Sequence, residues 1–409
     1  MGGPGGSGEG IETLPDPSGP SGARSPKLQI IVYSLQCFIN IRSLKNNINL
    51  HICPAFGHTL PVEGDGVCMK RTGLFALILC IALTLPGCAA RSGGKDNPAL
   101  PQPQNTTAAQ ARASASPGRA AADLVPARLE RNGEGVPVLK VYDVKNEKLE
   151  ELSVEEYLPA VLAGEMAGDW PLEALKAQAI LARTFVLQFV TEKKSRYEGA
   201  DISTDIEEAQ AYDAAGVNER IRQAVSETRG MVLNAGGELP YAWFHAHSGG
   251  LTARAKEGLD YEKDEPGYTQ CVKGMENDEA PPEAAHWEAA FTEAEIIAAM
   301  KDMGAPITGV TGISIGQRGE SGRAATLIVS GREVSAPALR ITLGSTKMRS
   351  CLLESLRVED GQVKMKGRGY GHGVGMSQWG AYAMAKAGKT AEEIVTHYFR
   401  GVTLDKAWE

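Results

Sequence analysis

The chain has 409 residues, of which 43% are hydrophobic and 22% charged. That is ordinary globular composition and excludes wholesale disorder and a collagen-like fibre, while about 150 residues per domain leaves room for two or three domains. A net charge of −8, from 42 basic and 50 acidic residues, argues against the basic footprint of a nucleic-acid binder, and seven cysteines are too few for a disulfide scaffold at this length.

Residues 1–68 read as a Gly/Pro/Ser tract, Met1 to Pro26, followed by a mixed run to Cys68 without helical or strand period. Neither can bury much apolar area. Met69-Lys70-Arg71, the apolar run Leu74 to Leu85, and Leu85-Pro86-Gly87-Cys88 then have the basic start, hydrophobic stretch and cleavage site of a secretory signal, residues 69–88. The run is shorter than the roughly 20 residues that span a bilayer. The tetrapeptide ending in Cys88 resembles a bacterial lipobox, in which Cys88 carries the lipid. The other reading is an ordinary signal or an anchor helix with an incidental cysteine. A signal works at a chain's start, so Met69 is read as the initiator and 1–68 as upstream translation. Residues 89–125, rich in Ala, Ser, Pro, Gln and Asn, read as a flexible tether. The expected location is outside the cytoplasmic membrane, anchored through Cys88. Ala89 is compatible with outer-membrane sorting in a cell with two membranes.

The globular part is expected over 126–409. Val138 to Val144 is rich in β-formers and reads as a strand. Ser153-Val-Glu-Glu156 is a capping box opening a helix over Val154–Met166, with Pro159 predicting a kink or restart. Trp170-Pro171 starts a second helix that runs to Thr191. Asn218 to Arg229 looks helical, and Met231–Leu233, Tyr241–Ala246 and Thr269–Lys273 look like strands. Thr292–Met303 reads as a helix, and 311–315, 325–329 and 350–358 as β-structure. Ser377–Ala387 reads as a helix ended by Gly388, and Thr390-Ala-Glu-Glu393 is a second capping box. This interleaving fits an α+β fold, one domain or two lobes, better than a repeating βα unit.

Leu158, Val161 and Leu162 form the apolar stripe of the first helix, and Glu165 falls on the same face at its C-terminal end. Lost hydration and the helix terminus both disfavour the carboxylate, which suits a general acid. The alternative is a helix-end glutamate reaching solvent or pairing with a lysine. Lys176 and Arg183, seven apart, share a face, as substrate-anchoring cations or as a solvated stripe. In His245-Ala-His247-Ser248-Gly-Gly both imidazoles of an extended strand would point one way, as metal ligands do. Ser248 beside His247 suggests a nucleophile instead, and a structural or substrate-contact use is the third reading. Gly367-Arg-Gly-Tyr370-Gly-His372-Gly-Val-Gly375 has glycine at alternate positions, which is not dinucleotide spacing. Tyr370 and His372 project from this ribbon as a sugar-lining wall, or the ribbon is simply a tight turn. Cys271 and Cys351 are the cysteines left beyond Cys88, and spacing alone does not pair them.

Three segments together resemble the stage II sporulation protein D (SpoIID/LytB) family. They are Gly-Glu165-Met with Trp-Pro-Leu-Glu-Ala-Leu-Lys176-Ala-Gln178-Ala and Ala-Arg183-Thr, then Phe244-His-Ala-His-Ser-Gly-Gly250, and Gly-Arg-Gly-Tyr-Gly-His372-Gly-Val-Gly-Met-Ser377-Gln378-Trp-Gly-Ala381. They follow the family's order between Ala163 and Gly401. The resemblance implies a lytic transglycosylase acting on peptide-stripped peptidoglycan, with Glu165 as catalytic acid and Lys176 and Arg183 as the matching cations. His245, Ser248, Tyr370, His372, Ser377 and Gln378 are then the substrate-binding candidates. Metal-binding members carry His and Cys before a Gln-x-Tyr. Here that stretch, Asp201 to Tyr212, has neither, so no metal or other cofactor is expected. Some members are described as enhancers of a cell-wall amidase, so a glycan-gripping role without cleavage is one rival. A hydrolase using water is another.

Overall fold

The computed structural model describes residues 121–409. The segments 1–68 and 69–88, Cys88 included, and nearly all of the 89–125 tether lie outside the described residues. Folded chain begins before Pro126. Ala121–Leu124 forms a 3-10 turn, and Leu124 and Val125 are buried in the first apolar core. The folded part therefore starts earlier than the expected 126, because these two aliphatic side chains find a core to enter.

Strands β1 (Val138–Asp143) and β2 (Lys148–Ser153) make an antiparallel hairpin. Ser153 then caps helix α1 (Val154–Glu165), with both bonds of the capping box formed. α1 passes through Pro159 without a break. The expected restart is absent because Leu158, Val161 and Leu162 are fully buried on both sides of it, and that packing outweighs one lost backbone bond. Helix α2 (Leu172–Glu192) is buried along most of its length. Strand β3 (Ile202–Ser203) adds parallel to β1. Helix α3 (Glu219–Glu227) starts at an Asn218 cap and leads into β4 (Met231–Asn234). The Tyr241–Ala246 strand shrinks to β5 (Phe244–His245). Tyr241 instead gives its N–H to the Tyr268 hydroxyl.

After helix α4 (Ala255–Leu259), the Thr269–Lys273 segment is not a strand. A lone bridge joins it to Leu251, and the Thr252 amide and hydroxyl bond Gln270 and Val272 in place of a regular ladder. A second lobe follows, built from α5 (Pro282–Ala285), β6 (His286–Thr292), α6 (Glu293–Asp302), β7 (Ile313–Ile315), β8 (Thr326–Val329), β9 (Arg332–Ser335), α7 (Ala336–Thr342), β10 (Leu353–Glu359) and β11 (Gln362–Arg368). Its two sheets, ordered β10-β11-β6 and β7-β8-β9, enclose Phe291, Ile296, Leu327, Met348 and Met365. The chain then returns through β12 (Met376–Ser377), α8 (Gln378–Lys386), α9 (Ala391–Tyr398) and β13 (Thr403–Lys406). β12 lies parallel to β5, with Ser377 opposite His245, and β13 pairs with β4. The α+β architecture thus has separate apolar cores in its two lobes. None of the helices among the described residues is long and apolar enough to cross a membrane.

Candidate active site

Glu165 ends α1 and is 1% exposed. Its Oε1 accepts the Ala211 N–H at 2.8 Å. Burial and the helix C-terminus oppose ionisation, while that amide favours the anion. The Gln210-x-Tyr212 stretch therefore serves the acid with a backbone donor. Gly164 makes the approach feasible, since a Cβ there would stand 2.7 Å from the Ala211 carbonyl carbon. Gly164→Ala should therefore cost about 1–3 kcal/mol in urea unfolding, although alanine is the better helix former. A stability gain would show that the segment yields freely.

Three glutamines surround this end of α1. Gln378 Nε2 donates to the Glu165 carbonyl at 3.3 Å and lies 3.5 Å from Gln178 Oε1. Gln178 and Gln210 are buried, and the Gln178 Nε2 and both amide atoms of Gln210 have no hydrogen-bond partner among the described residues.

Ser377 caps α8 through its hydroxyl and also donates to Glu276 Oε1 at 2.6 Å. The same oxygen accepts the Ser248 N–H at 2.6 Å and lies 3.9 Å from His247 Nδ1. Burial would raise the Glu276 carboxyl, but His247 and the two serines outweigh it and hold it below the usual carboxylate range. The Glu276 side chain is 7% exposed. Sequence reasoning passed over it, because Lys273-Gly-Met-Glu276 has no period and no motif.

The histidines part company. His245 Nδ1 faces the Val374 carbonyl at 3.1 Å, which only accepts, so this nitrogen carries the hydrogen. Val374 N–H donates to His372 Nδ1 at 3.0 Å, so that nitrogen is bare. The two rings meet edge-on at 5.8 Å. His247 Nδ1 instead accepts the Gly249 N–H at 2.9 Å. The two imidazoles of the motif thus do not share a ligand position, because β5 ends at His245. Among the described residues no group of three or more His, Cys, Asp or Glu is placed to hold a metal. The Ser248 hydroxyl accepts the Gly250 N–H at 3.0 Å, and no imidazole stands among its described bonds, which leaves the nucleophile reading without its histidine base.

Burial, then the Arg340 and Arg323 charges, push His372 down to about 3. Burial, His372 and Arg323 also hold His245 well below its ordinary value. Unfolded imidazoles titrate near 6.5. Between pH 6.5 and about 3 the unfolded chain thus binds the extra protons. Stability is full above pH 6.5 and declines as pH falls through that window, by up to about 1.4 kcal/mol per pH unit per histidine. His372→Asn should flatten the slope of urea stability between pH 6.5 and 5. An unchanged slope would refute the burial account.

Other expectations are corrected. Tyr370 is 2% and His372 7% exposed, so they pack rather than line a wall. Tyr370 exchanges backbone bonds with His247 and lies under the Arg349 guanidinium, 5.1 Å from its ring centre. Arg183 has no exposed surface to offer a substrate and instead forks onto Glu155 at 3.0 and 2.8 Å. Lys176 pairs with Glu173 at 2.7 Å and Glu227 at 2.5 Å. Cys271 and Cys351 are free thiols.

Arg323, also unread from the sequence, comes from the second lobe. It is fully buried, and its guanidinium donates to the carbonyls of Ser248 and Leu251 at 2.5 and 2.8 Å. Gly373, at φ +85°, lets it pack close, since a Cβ there would stand 2.4 Å from the guanidinium carbon. Cavities of about 620 and 600 Å³ open elsewhere, one beside His286 and Arg349 and one beside Glu155. Glu165 lines neither of them, so the chemistry of the buried residues, not cavity volume, locates the site.

A family model described as "Stage II sporulation protein" matches residues 142–234, and one described as "Domain of unknown function (DUF8618)" matches 261–375. The first spans Glu165 and its α1–α2 frame, and the second spans the second lobe. The chain is 30% identical to "Stage II sporulation protein D" of Bacillus subtilis over 285 residues, 66% of this chain and 79% of that one. It is 31% identical over 281 residues to the protein of that name from Bacillus amyloliquefaciens, covering 65% and 78%. "Amidase enhancer" of Bacillus subtilis is 25% identical over 291 residues, 60% of this chain and 40% of that one.

Proposed function

The chain belongs to the stage II sporulation protein D family, and from that membership we propose that it is a peptidoglycan lytic transglycosylase with Glu165 as acid and base. The observation that carries this reading is a carboxyl buried at the end of α1, held by the Ala211 amide.

In the first half-reaction Glu165 gives its proton to the oxygen bridging N-acetylmuramic acid and N-acetylglucosamine. The bond from the muramic C1 to that oxygen breaks, and charge develops at C1. The muramic C6 hydroxyl then closes onto C1 and passes its proton to Glu165. The product is a 1,6-anhydro end, and the acid is restored with no water consumed and no cofactor required. One carboxyl group suffices, unlike the flanking pair of standard glycosidases. The burial of Glu165 favours this internal nucleophile over water. Gln178, Gln210 and Gln378 are buried amides packed around the acid, and Ser248 and Ser377 are buried with them, so in this reading they hold the acid's surroundings rather than a sugar.

The protein acts in this reading on peptide-stripped glycan in the cell envelope, held to a membrane by lipid on Cys88. The "Amidase enhancer" relative favours a second reading, in which the chain grips glycan for a cell-wall amidase without cutting it. Mass spectrometry of defined peptide-free glycan after incubation separates the outcomes. Anhydro ends support the transglycosylase, new reducing ends indicate a hydrolase, and intact strands leave the binding role.

A further inference from the structure

The chain has five tryptophans. Trp243, Trp287 and Trp408 are buried, each inside an apolar core. Trp170 and Trp379 are only partly covered. Their ring centres lie 4.6 Å apart, and Tyr382, also partly exposed, joins them at 5.1 and 5.2 Å. Trp379 and Tyr382 take part in none of the apolar cores. Trp170 packs in part against the first core, but core packing does not account for Trp379 and Tyr382, rings kept partly in solvent.

Their placement does suggest a purpose. Trp170 stands on the segment leaving α1 just after Glu165. Trp379 adjoins Gln378, whose amide reaches the Glu165 carbonyl. The Trp379 N–H bonds to the Ala246 carbonyl at 3.0 Å, between the two histidines of the central motif. Polar groups rim the cluster. The Tyr382 hydroxyl donates to Glu279 at 2.9 Å, and Lys386 lies 3.8 Å from the same carboxylate.

We infer that Trp170, Trp379 and Tyr382 form a stacking platform for pyranose rings of a glycan strand running past Glu165. The substrate class rests on the proposed function. The preference for a sugar rests on the cluster itself. A pyranose is polar at its edge and carries C–H groups on its faces. An aromatic face, negative at its centre, attracts those C–H groups, while the rim of Glu279 and Lys386 meets the hydroxyls. An enclosed aliphatic pocket would reject the same ring, since it would leave hydroxyls unpaired. The platform thus sets which strand positions bracket the scissile bond.

The test uses the full chain carrying Glu165→Gln, titrated with soluble peptide-free glycan strands and followed by tryptophan fluorescence. Saturable fluorescence change and protection of the two partly exposed indoles from acrylamide quenching are expected. Trp379→Ala and Trp170→Ala should each weaken the affinity about tenfold, while Trp379→Tyr should weaken it less than about threefold. Tyr382→Ala, on the outer face of α8, gives a further readout if a tryptophan variant does not fold. Wild-type affinity in the alanine variants, equal loss in Trp379→Ala and Trp379→Tyr, or binding without quench protection each overturns the platform. If anhydro ends never form but binding depends on these rings, the platform stands and the transglycosylase reading falls. If anhydro ends form and affinity ignores the rings, the reverse holds.

Discussion

Replacing Glu165 by glutamine is expected to cut release of 1,6-anhydro ends from peptide-free glycan by on the order of 10⁴-fold, the upper range for one general acid–base group that serves both half-reactions. The fold should survive. Glutamine keeps the size of the side chain and an oxygen to accept the Ala211 N–H, now bonded at 2.8 Å. What it lacks is an acidic proton to give to the bridging oxygen and a carboxylate to take one from the C6 hydroxyl. Product mass spectrometry reads the chemistry, and urea unfolding reads the fold. The expected pair of results is loss of product with stability within about 1 kcal/mol of the parent. Unchanged turnover would remove Glu165 from the chemistry altogether. Lost turnover with a collapsed urea midpoint would show the residue to be structural.

The largest stability effect is expected at Arg183→Met, about 3–5 kcal/mol. The Glu155 side chain is 9% exposed and its Oε1 accepts from Arg183, the Gly230 N–H and the Trp408 indole. This one carboxylate ties α1 to α2, to the start of β4 and to the chain's end. Arg183 also donates to the Met231 carbonyl at 3.1 Å. Removing the cation leaves a buried anion with neutral donors only. Pairing Arg183→Met with Glu155→Met should cost clearly less than the sum of the single changes. Urea unfolding of the four proteins checks this cycle. A cost under about 1 kcal/mol for Arg183→Met, or strict additivity, would show the ion pair to be idle.

Local rules made much of the architecture legible. Ser153 and Thr390, read as capping boxes, each cap a helix with both bonds present, and Thr292 forms a third box where the sequence reading has only a helix start. The helical period around Leu158 placed Glu165 on a buried face, as found. What stayed hidden depends on contacts distant in sequence. Arg183 and Lys176 look alike as charges on one helix. Only the packing of α3 and the C-terminal Trp408 makes the first a core cation. β6 was missed because its Ala289-Ala290 centre carries no strand signal, and it exists through pairing with β11. Tyr370 and His372 projected from a glycine ribbon on paper, but the second lobe closes over that ribbon. Glu276 gains meaning only where Ser248 and Ser377, far apart in the chain, converge on one of its oxygens.

Arg323 bears on how the molecule can be cut. It sits in the middle of the region 282–368, which has an apolar core of its own and looks like a cassette that could be excised. Yet its guanidinium terminates the backbone of Ser248 and Leu251 and fills the hollow at Gly373. Excision would strip the Ser248 and Leu251 carbonyls of this donor and open a void beneath the turn that carries His247. The region 282–368 is therefore not a cassette to be cut out alone, and grafts between relatives must exchange the arginine together with the loop it braces.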